Sequence, residues 1–555
     1  MVASIDQLAS GAGVAVLRAG GTAADAAVAA SAVLAVTAQH TCGMGGDLWA
    51  LVHFADGEPP AALNAAGRAG SGADPQRLRD EGHAEMPLWG DPRSIPVPGC
   101  VDGWLALHDR FGRRPLAEVL GPAIELAEHG FPLSPQNAAA AEALVGVAGA
   151  DDYLGADGRV PRAGTLIRRP GVAQALRAVR DGGRRAFYEG EFGEDLLELG
   201  RGEYAESDLA TPLADWVEPL SAQAWGHRVW TVPPSSQGYL TAAAAWIADG
   251  LDVPADVDDP AAVHLLAEAA LAAAFDRVDV LHEHADGAAL ISPERLAPRR
   301  AAIGADVWQA GRGEHEAGAC PANSRAGDTN YLAVVDGGGT GSGGGTGAGS
   351  PVPRMGVSLI QSNASGWGAR CFLGRSRISL HNRGLGFSLE AGHPAEYGPG
   401  RRPPHTLAPA LVQTAAGALR TVLGTMGGDA QPQVVLQLLA RLLHGGATPA
   451  QAVAAGRWRW DRPQASAFQT WVGTGRPRLL IEGHAGTDGA AGADGAAGGD
   501  DTDVLVSELA GRGHDVRREA SFDSSFGHAH VIEVDGDVLA GASDPRALNG
   551  AALGF

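Results

Sequence analysis

The sequence predicts an α+β chain in which alanine-rich helices alternate with short strands. Two observations carry this. Apolar stretches such as Ala26–Ala38 (AAVAASAVLAVTA) and Val263–Glu283 (VHLLAEAALAAAFDRVDVLHE) have helical composition and length. Short β-branched runs closed by turn residues, such as Trp49–Phe54 and Val357–Ser362, read as strands. The 555 residues are 45% hydrophobic and 19% charged, which suits a globular chain of two to four compact units, or one large enzyme domain with a helical appendage. Eighty Gly against 12 Phe point to a core of Ala, Leu and Val with tight turns.

Helices are predicted over Ser10–Ala19 and Thr22–Ala38, broken at Gly20-Gly21. The strand Trp49–Phe54 closes on the turn Asp56-Gly57. A helical block runs from Trp104 to about Leu144, and a long helix starts after Asp259-Pro260. Asp328–Asp336 (DTNYLAVVD) is a strand opening from a loop, and Val357–Ser362 is its neighbour. Further strands are read at Leu407–Gln413, Leu419–Gly424, Leu479–Glu482, Val531–Val534 and Asp537–Ala540. Helices are read at Gln433–Leu443, Pro449–Ala455 and Asp503–Leu509. The Gly-rich tracts 337–353 and 486–501 are low-complexity surface insertions.

Charge narrows the function. There are 42 basic and 64 acidic residues, net charge −22, which disfavours nucleic acid and anionic membrane surfaces. Every basic residue is arginine, so a lysine Schiff base and a P-loop lysine are excluded. Cys42, Cys100, Cys320 and Cys371 form no C-x-x-C pair, and they suit a reducing compartment. The first residues lack a basic signal-peptide region and the Ala26–Ala38 run is too short to span a bilayer, so a cytoplasmic location is expected. No G-x-S-x-G, H-E-x-x-H or Walker A motif is present. His282-Glu283-His284 is read as a polar helix end rather than a metal site, and no metal or organic cofactor is expected.

One segment carries chemistry. Thr329 opens a strand, and cutting the Asp328–Thr329 bond would make it an N-terminus. A free threonine brings its own base, because an α-amino group with a pKa of about 7.7–8.0 can take the Oγ proton. Without that cut, a threonine at a strand start is an ordinary β-former.

Nine stretches in order, from GGTAADAAVAA (Gly20–Ala30) and CGMGGDLWALVH (Cys42–His53) through SIPVPGCVDGW, FYEG, GDTNYLAVVD, IQSN and NRGLGFSL to RPPHTLAP and MGGDAQPQ (Met426–Gln433), give the chain its identity. It resembles the gamma-glutamyltranspeptidase family of N-terminal-nucleophile hydrolases. The resemblance implies a four-layer αββα sandwich with additional helices. It also implies self-cleavage into a large subunit, residues 1–328, and a small one, residues 329–555. Thr329 matches the nucleophile, and Gly427 and Gly428 match the oxyanion-hole glycines. Arg68 matches the clamp for a donor carboxylate, a task suited to a guanidinium. Asn363 matches a site-lining asparagine, Gln361 takes the place of a second threonine, and His405-Thr406 that of a serine pair. Gly386 stands where glutamyl-specific members carry an acidic residue for the donor ammonium.

The implied activity is cleavage of gamma-glutamyl amides such as glutathione, with the acyl group passed to water or an amine. An acylase for another carboxylated amide, of glutaryl or cephalosporin side-chain type, is the alternative. An unprocessed metabolite-binding homologue is a third reading. Small-molecule amide and acceptor are the expected partners, the two subunits come from one precursor, and a homo-oligomer is possible.

Overall fold

The computed structural model describes residues 1–155, 157–307, 327–340, 351–352, 354–462, 468, 470–471, 475–483 and 501–555. Two antiparallel sheets form its centre. The first runs, in spatial order, Ala551–Leu553, Val2–Ser4, Gly327–Val335, Gly356–Ser365, Asp47–His53, Ala61–Ala65 and Asp215–Val217. The second runs Val538–Ser543, Ala529–Asp535, Leu419–Thr425, Ala410–Gln413, His227–Thr231 and Leu220–Ala224. Each sheet takes strands from both sides of Thr329.

Alternation of side chains sorts the residues into layers. Trp49, Leu51, Tyr331, Ala333 and Ile360 point from the first sheet toward Trp230, Leu411, Val422 and Ile532 of the second, forming one core between the sheets. The opposite face of the first sheet (Leu48, Ala50, Leu332, Val334, Leu359) packs on the helix Ala23–Thr37 and its neighbours. The outer face of the second (Val229, Val412, Leu423, Val531) packs under helices Tyr239–Asp249, Pro260–Ala274 and Gln431–Leu439. Three apolar cores between four layers make an αββα sandwich, as the resemblance implies.

The helix Ala23–Thr37 is buried along its whole length, which explains why it is apolar all round. Thr22 and Asp25 form its capping box, and Asp25 also accepts from the backbone N–H groups of Arg113 and Arg114. The predicted block 104–144 resolves into Cys100–Phe111, Leu116–His129 and Pro135–Ala141.

Two predicted elements are shorter than read. The helix predicted to Glu283 ends at Ala274, and a separate turn covers Arg277–Val280. The break lets Asp276 receive Arg295 and Arg299, and lets the buried Arg277 reach Asp429 at 3.3 Å. The strand predicted from Leu407 starts at Ala410, because Leu407 and Ala408 spend their backbone groups on Ser236 and Gln431. The ends of the first Gly-rich insertion pair as Gly339–Thr340 with Pro351–Val352. Residues 341–350 and Cys320 lie outside the described residues, as does the second insertion except for Asp501. Among the described residues no helix is long and apolar enough to cross a membrane.

Candidate active site

Register builds the site. Asp47, Ser362 and Thr329 sit directly opposite one another on three adjacent strands, so their side chains share the face turned toward the second sheet. Thr329 is 2% exposed, and its Oγ is hydrogen-bonded to Ser362 Oγ at 3.0 Å. A bulge between Ser362 and Ala364 turns the Ala364 N–H onto the same Ser362 oxygen at 2.8 Å. Arg383, from the short turn Arg383–Gly386, donates to Ser362 Oγ at 3.1 Å and to Thr406 Oγ1 at 3.0 Å.

The second sheet brings the glycines. Its strand Leu419–Thr425 leads into Met426 and the turn Gly428–Ala430, which touches the strand of Thr329. Gly427 has φ +136° and Gly428 φ +56°, conformations that suit glycine. Among the described residues neither N–H has a hydrogen-bond partner, as an oxyanion hole requires. Gln237 Nε2 clamps the turn by donating to Gly428 O at 2.8 Å and Thr406 O at 2.9 Å. Asp429 is buried beside Arg277, and burial pushes its carboxyl up.

Behind Thr406 lies a buried Asp–His–His cluster. Asp47 accepts from Gly67 N–H at 2.8 Å and from His405 Nε2 at 3.0 Å, and His381 Nδ1 lies 3.3 Å away. Burial opposes ionisation of Asp47, but the two histidines outweigh it and hold the carboxyl well below its usual range. Burial, with Arg383 nearby, pulls His405 down to about 3, so its ring is neutral and its Nδ1 accepts from Leu407 N–H.

The residues singled out from the sequence therefore separate. Thr329, Gly427, Gly428 and Thr406 converge. His405 is fully buried against Asp47 and supports the wall from behind. Gln361 departs from expectation: one residue from Ser362, it points through the opposite face of the sheet and bonds Ser31 and Cys100. The hydroxyl beside Thr329 comes instead from Ser362. Asn363, at the bulge, donates to Gln39 O at 2.9 Å while its Oδ1 stays buried without a partner among the described residues. Arg68 is one-third exposed and bonded to Glu283 and Gly400, with Asp215 at 3.8 Å. Nothing is described of the Asp328 side chain.

Ser362 and Arg383 escaped the sequence reading, although both lie inside stretches quoted for the resemblance. The signal available was the two-residue alternation of the Val357–Ser362 strand, which puts Ser362 rather than Gln361 on the inter-sheet face. Cys42 and Cys100 are buried, and burial pushes the Cys42 thiol up to about 12, far from a thiolate nucleophile.

Glu283 pairs with Arg68 and Arg401, so the His282–His284 triplet is tied into ion pairs. Elsewhere, His264, Glu268 and His514 bring donor atoms within 4.8 Å of one another. Their contacts are closed by a His264–His514 hydrogen bond of 2.8 Å and by Arg476 on Glu268.

The family profile described as Gamma-glutamyltranspeptidase matches residues 9–554. The glutathione hydrolase-like YwrD proenzyme of Bacillus subtilis is 33% identical over 100% of this chain and 98% of its own length. The oxamate amidohydrolase proenzyme of Klebsiella pneumoniae is 32% identical, again over 100% of this chain and 98% of its own. The crystal structure of cephalosporin acylase from Bacillus halodurans superposes with a TM-score of 0.82 at 28% identity, covering 99% of this chain and 94% of that one. With its sandwich, a threonine near the start of a central strand and its paired glycines, the chain belongs to the gamma-glutamyltranspeptidase family of N-terminal-nucleophile hydrolases.

Proposed function

We propose that this chain is a self-processing threonine amidohydrolase whose acyl donor carries a carboxylate and needs no ammonium group. Cleavage before Thr329 gives a large subunit, residues 1–328, and a small one, residues 329–555. The two stay together because each sheet contains strands from both. The freed α-amino group of Thr329 takes the Oγ proton, and Oγ bonds to the amide carbon. The oxyanion is held by the N–H groups of Gly427 and Gly428, donors worth about 3–4 kcal/mol each in such sites. The C–N bond then breaks as the proton passes to the leaving nitrogen. Water, or an amine, attacks the ester and frees Thr329.

The observation that carries this reading is the Thr329 hydroxyl bonded to Ser362 at 3.0 Å beside a turn with two N–H groups that have no partner among the described residues. The absence of an ammonium partner rests on Gly386. A Cβ there would lie 2.3 Å from the Pro404 carbonyl oxygen, so the backbone leaves no space for an acidic side chain.

A second reading, transfer or hydrolysis of gamma-glutamyl groups, is favoured by the name of the Bacillus subtilis relative and by Arg68. Two measurements decide. On a denaturing gel the wild type should give two bands, with Thr329 as the first residue of the smaller, and Thr329→Ala should give one. A single wild-type band would leave only a metabolite-binding protein. Processed enzyme is then assayed on a gamma-glutamyl and a glutaryl anilide. A glutamyl preference in kcat/KM above about a hundredfold would favour the second reading.

A further inference from the structure

We infer that Arg383 is the receptor for the donor carboxylate, and that the carboxylate sits one or two carbons from the scissile carbonyl, so that the enzyme takes the monoamide of a short dicarboxylic acid. This rests on Thr329 being the nucleophile.

The first observation is a charge without a counter-charge. Six other arginines are buried: Arg169, Arg277, Arg402, Arg441, Arg457 and Arg546. Each forms an ion pair with a carboxylate, respectively of Asp152, Asp429, Asp215, Asp258, Asp544 and Glu482. Arg383, 2% exposed, has no such pair among the described residues. Asp47 and Asp429 act on it only from a distance. Burying a guanidinium without a close anion is costly, and a ligand that supplies the anion recovers that cost.

The second observation is the unused edge of the guanidinium. One terminal nitrogen donates to Thr406 and the other to Ser362, while Nε is buried with no acceptor among the described residues. Nε and a remaining terminal hydrogen make the parallel fork that a carboxylate accepts. The Phe468 ring lies 5.3 Å from the guanidinium carbon and covers another side. By contrast, Arg68 is partly exposed and already meets Glu283 and Asp215.

The third observation is distance. Bonds of 3.0 and 3.1 Å through Ser362 Oγ hold the guanidinium within about 6 Å of the Thr329 oxygen. An attacked carbonyl carbon lies about 3–3.5 Å from the nucleophile. A carboxylate on that carbon or the next reaches Arg383 from there with a hydrogen bond of about 2.8 Å. The α-carboxylate of a gamma-glutamyl group is four carbon–carbon bonds away, roughly 5 Å when extended, and has more freely rotating bonds to order before it meets Arg383.

The test is calorimetric binding of oxalate, malonate and glutarate to the purified processed enzyme, beside ammonia release from the corresponding monoamides. Oxalate or malonate should bind about tenfold or more tighter than glutarate. Arg383→Met should weaken short-diacid binding about 10- to 100-fold, and Arg383→Lys, which keeps the charge without the fork, should fall between. Glutarate binding as tightly as the short acids overturns the inference, as does unchanged binding in Arg383→Met or a loss seen in Arg68→Met instead. If Arg383→Met does not fold, the wild-type length series and Arg383→Lys still decide. Short-diacid binding without hydrolysis of any monoamide would refute the amidohydrolase reading and leave the Arg383 subsite standing. Hydrolysis without short-diacid binding would refute the subsite alone.

Discussion

Replacing Ser362 with alanine removes one oxygen on which three groups converge: Thr329 Oγ, the Arg383 guanidinium and the Ala364 N–H. The site is closed, with Ser362 and Arg383 at 0% and 2% exposure. Of the three, the Thr329 hydroxyl is free to rotate, whereas the Arg383 guanidinium and the Ala364 N–H are fixed buried donors that lose their acceptor, at about 1–3 kcal/mol each, the charged one at the upper end. A loss of about 2–5 kcal/mol is expected, read as a lower urea midpoint with unchanged slope. The effect on chemistry is separate. Thr329 loses the contact that orients Oγ, and a displacement of about 1 Å costs on the order of a hundredfold in turnover. Ser362→Ala should therefore process slowly before Thr329 and, once processed, turn over about a hundredfold more slowly. Ser362→Thr, which keeps the hydroxyl, should recover part of both rates. The assays are the time course of the small fragment on a gel and kcat on any amide the wild type cleaves. If Ser362→Ala processes and turns over within about threefold of wild type, the nucleophile is not positioned through Ser362.

Gly428→Val should lower kcat by about a hundredfold or more, because the left-handed backbone that exposes its N–H disfavours a β-branched residue; near-normal kcat would place the oxyanion donors elsewhere. Gly386→Ala should destabilise the protein, since even a methyl there meets the Pro404 carbonyl oxygen at 2.3 Å; a wild-type urea midpoint would contradict this. Asp544 is held down at about 2, because Arg457 and Arg546 outweigh the opposing effect of burial. Its folded pKa is below its unfolded value of about 3.9, so its stabilisation is complete above about pH 4 and is lost as pH falls toward 2. Asp544→Asn should cost about 3–5 kcal/mol at neutral pH and flatten the acid limb of stability; an unchanged urea midpoint at pH 7 would show the network to be dispensable.

Much of the architecture was legible because its signals are local. Thr22 with Asp25 marks a helix start, and DTNYLAVVD alternates as a strand wherever it is placed. The helix past Ala274 was not legible, because its break serves a distant ion pair between Arg277 and Asp429. Gln361 shows the sharpest limit. A motif match by position placed it beside Thr329, and a one-residue step along a strand reverses the face of the sheet.

The chain alone pointed to the proposed chemistry. An all-arginine basic complement excluded lysine-dependent mechanisms, and a threonine near a strand start and a Met-Gly-Gly turn are properties of contiguous residues. Which side chains stand around that threonine depended on pairing. Asp47, Ser362 and Thr329 are separated by hundreds of residues and meet because three strands align in one register. That Arg383 has no ion-pair partner among the described residues is likewise invisible in a sequence with 42 basic and 64 acidic residues. Whether an arginine has a partner is decided only when the fold fixes which carboxylates can reach it and removes the water that would otherwise solvate it.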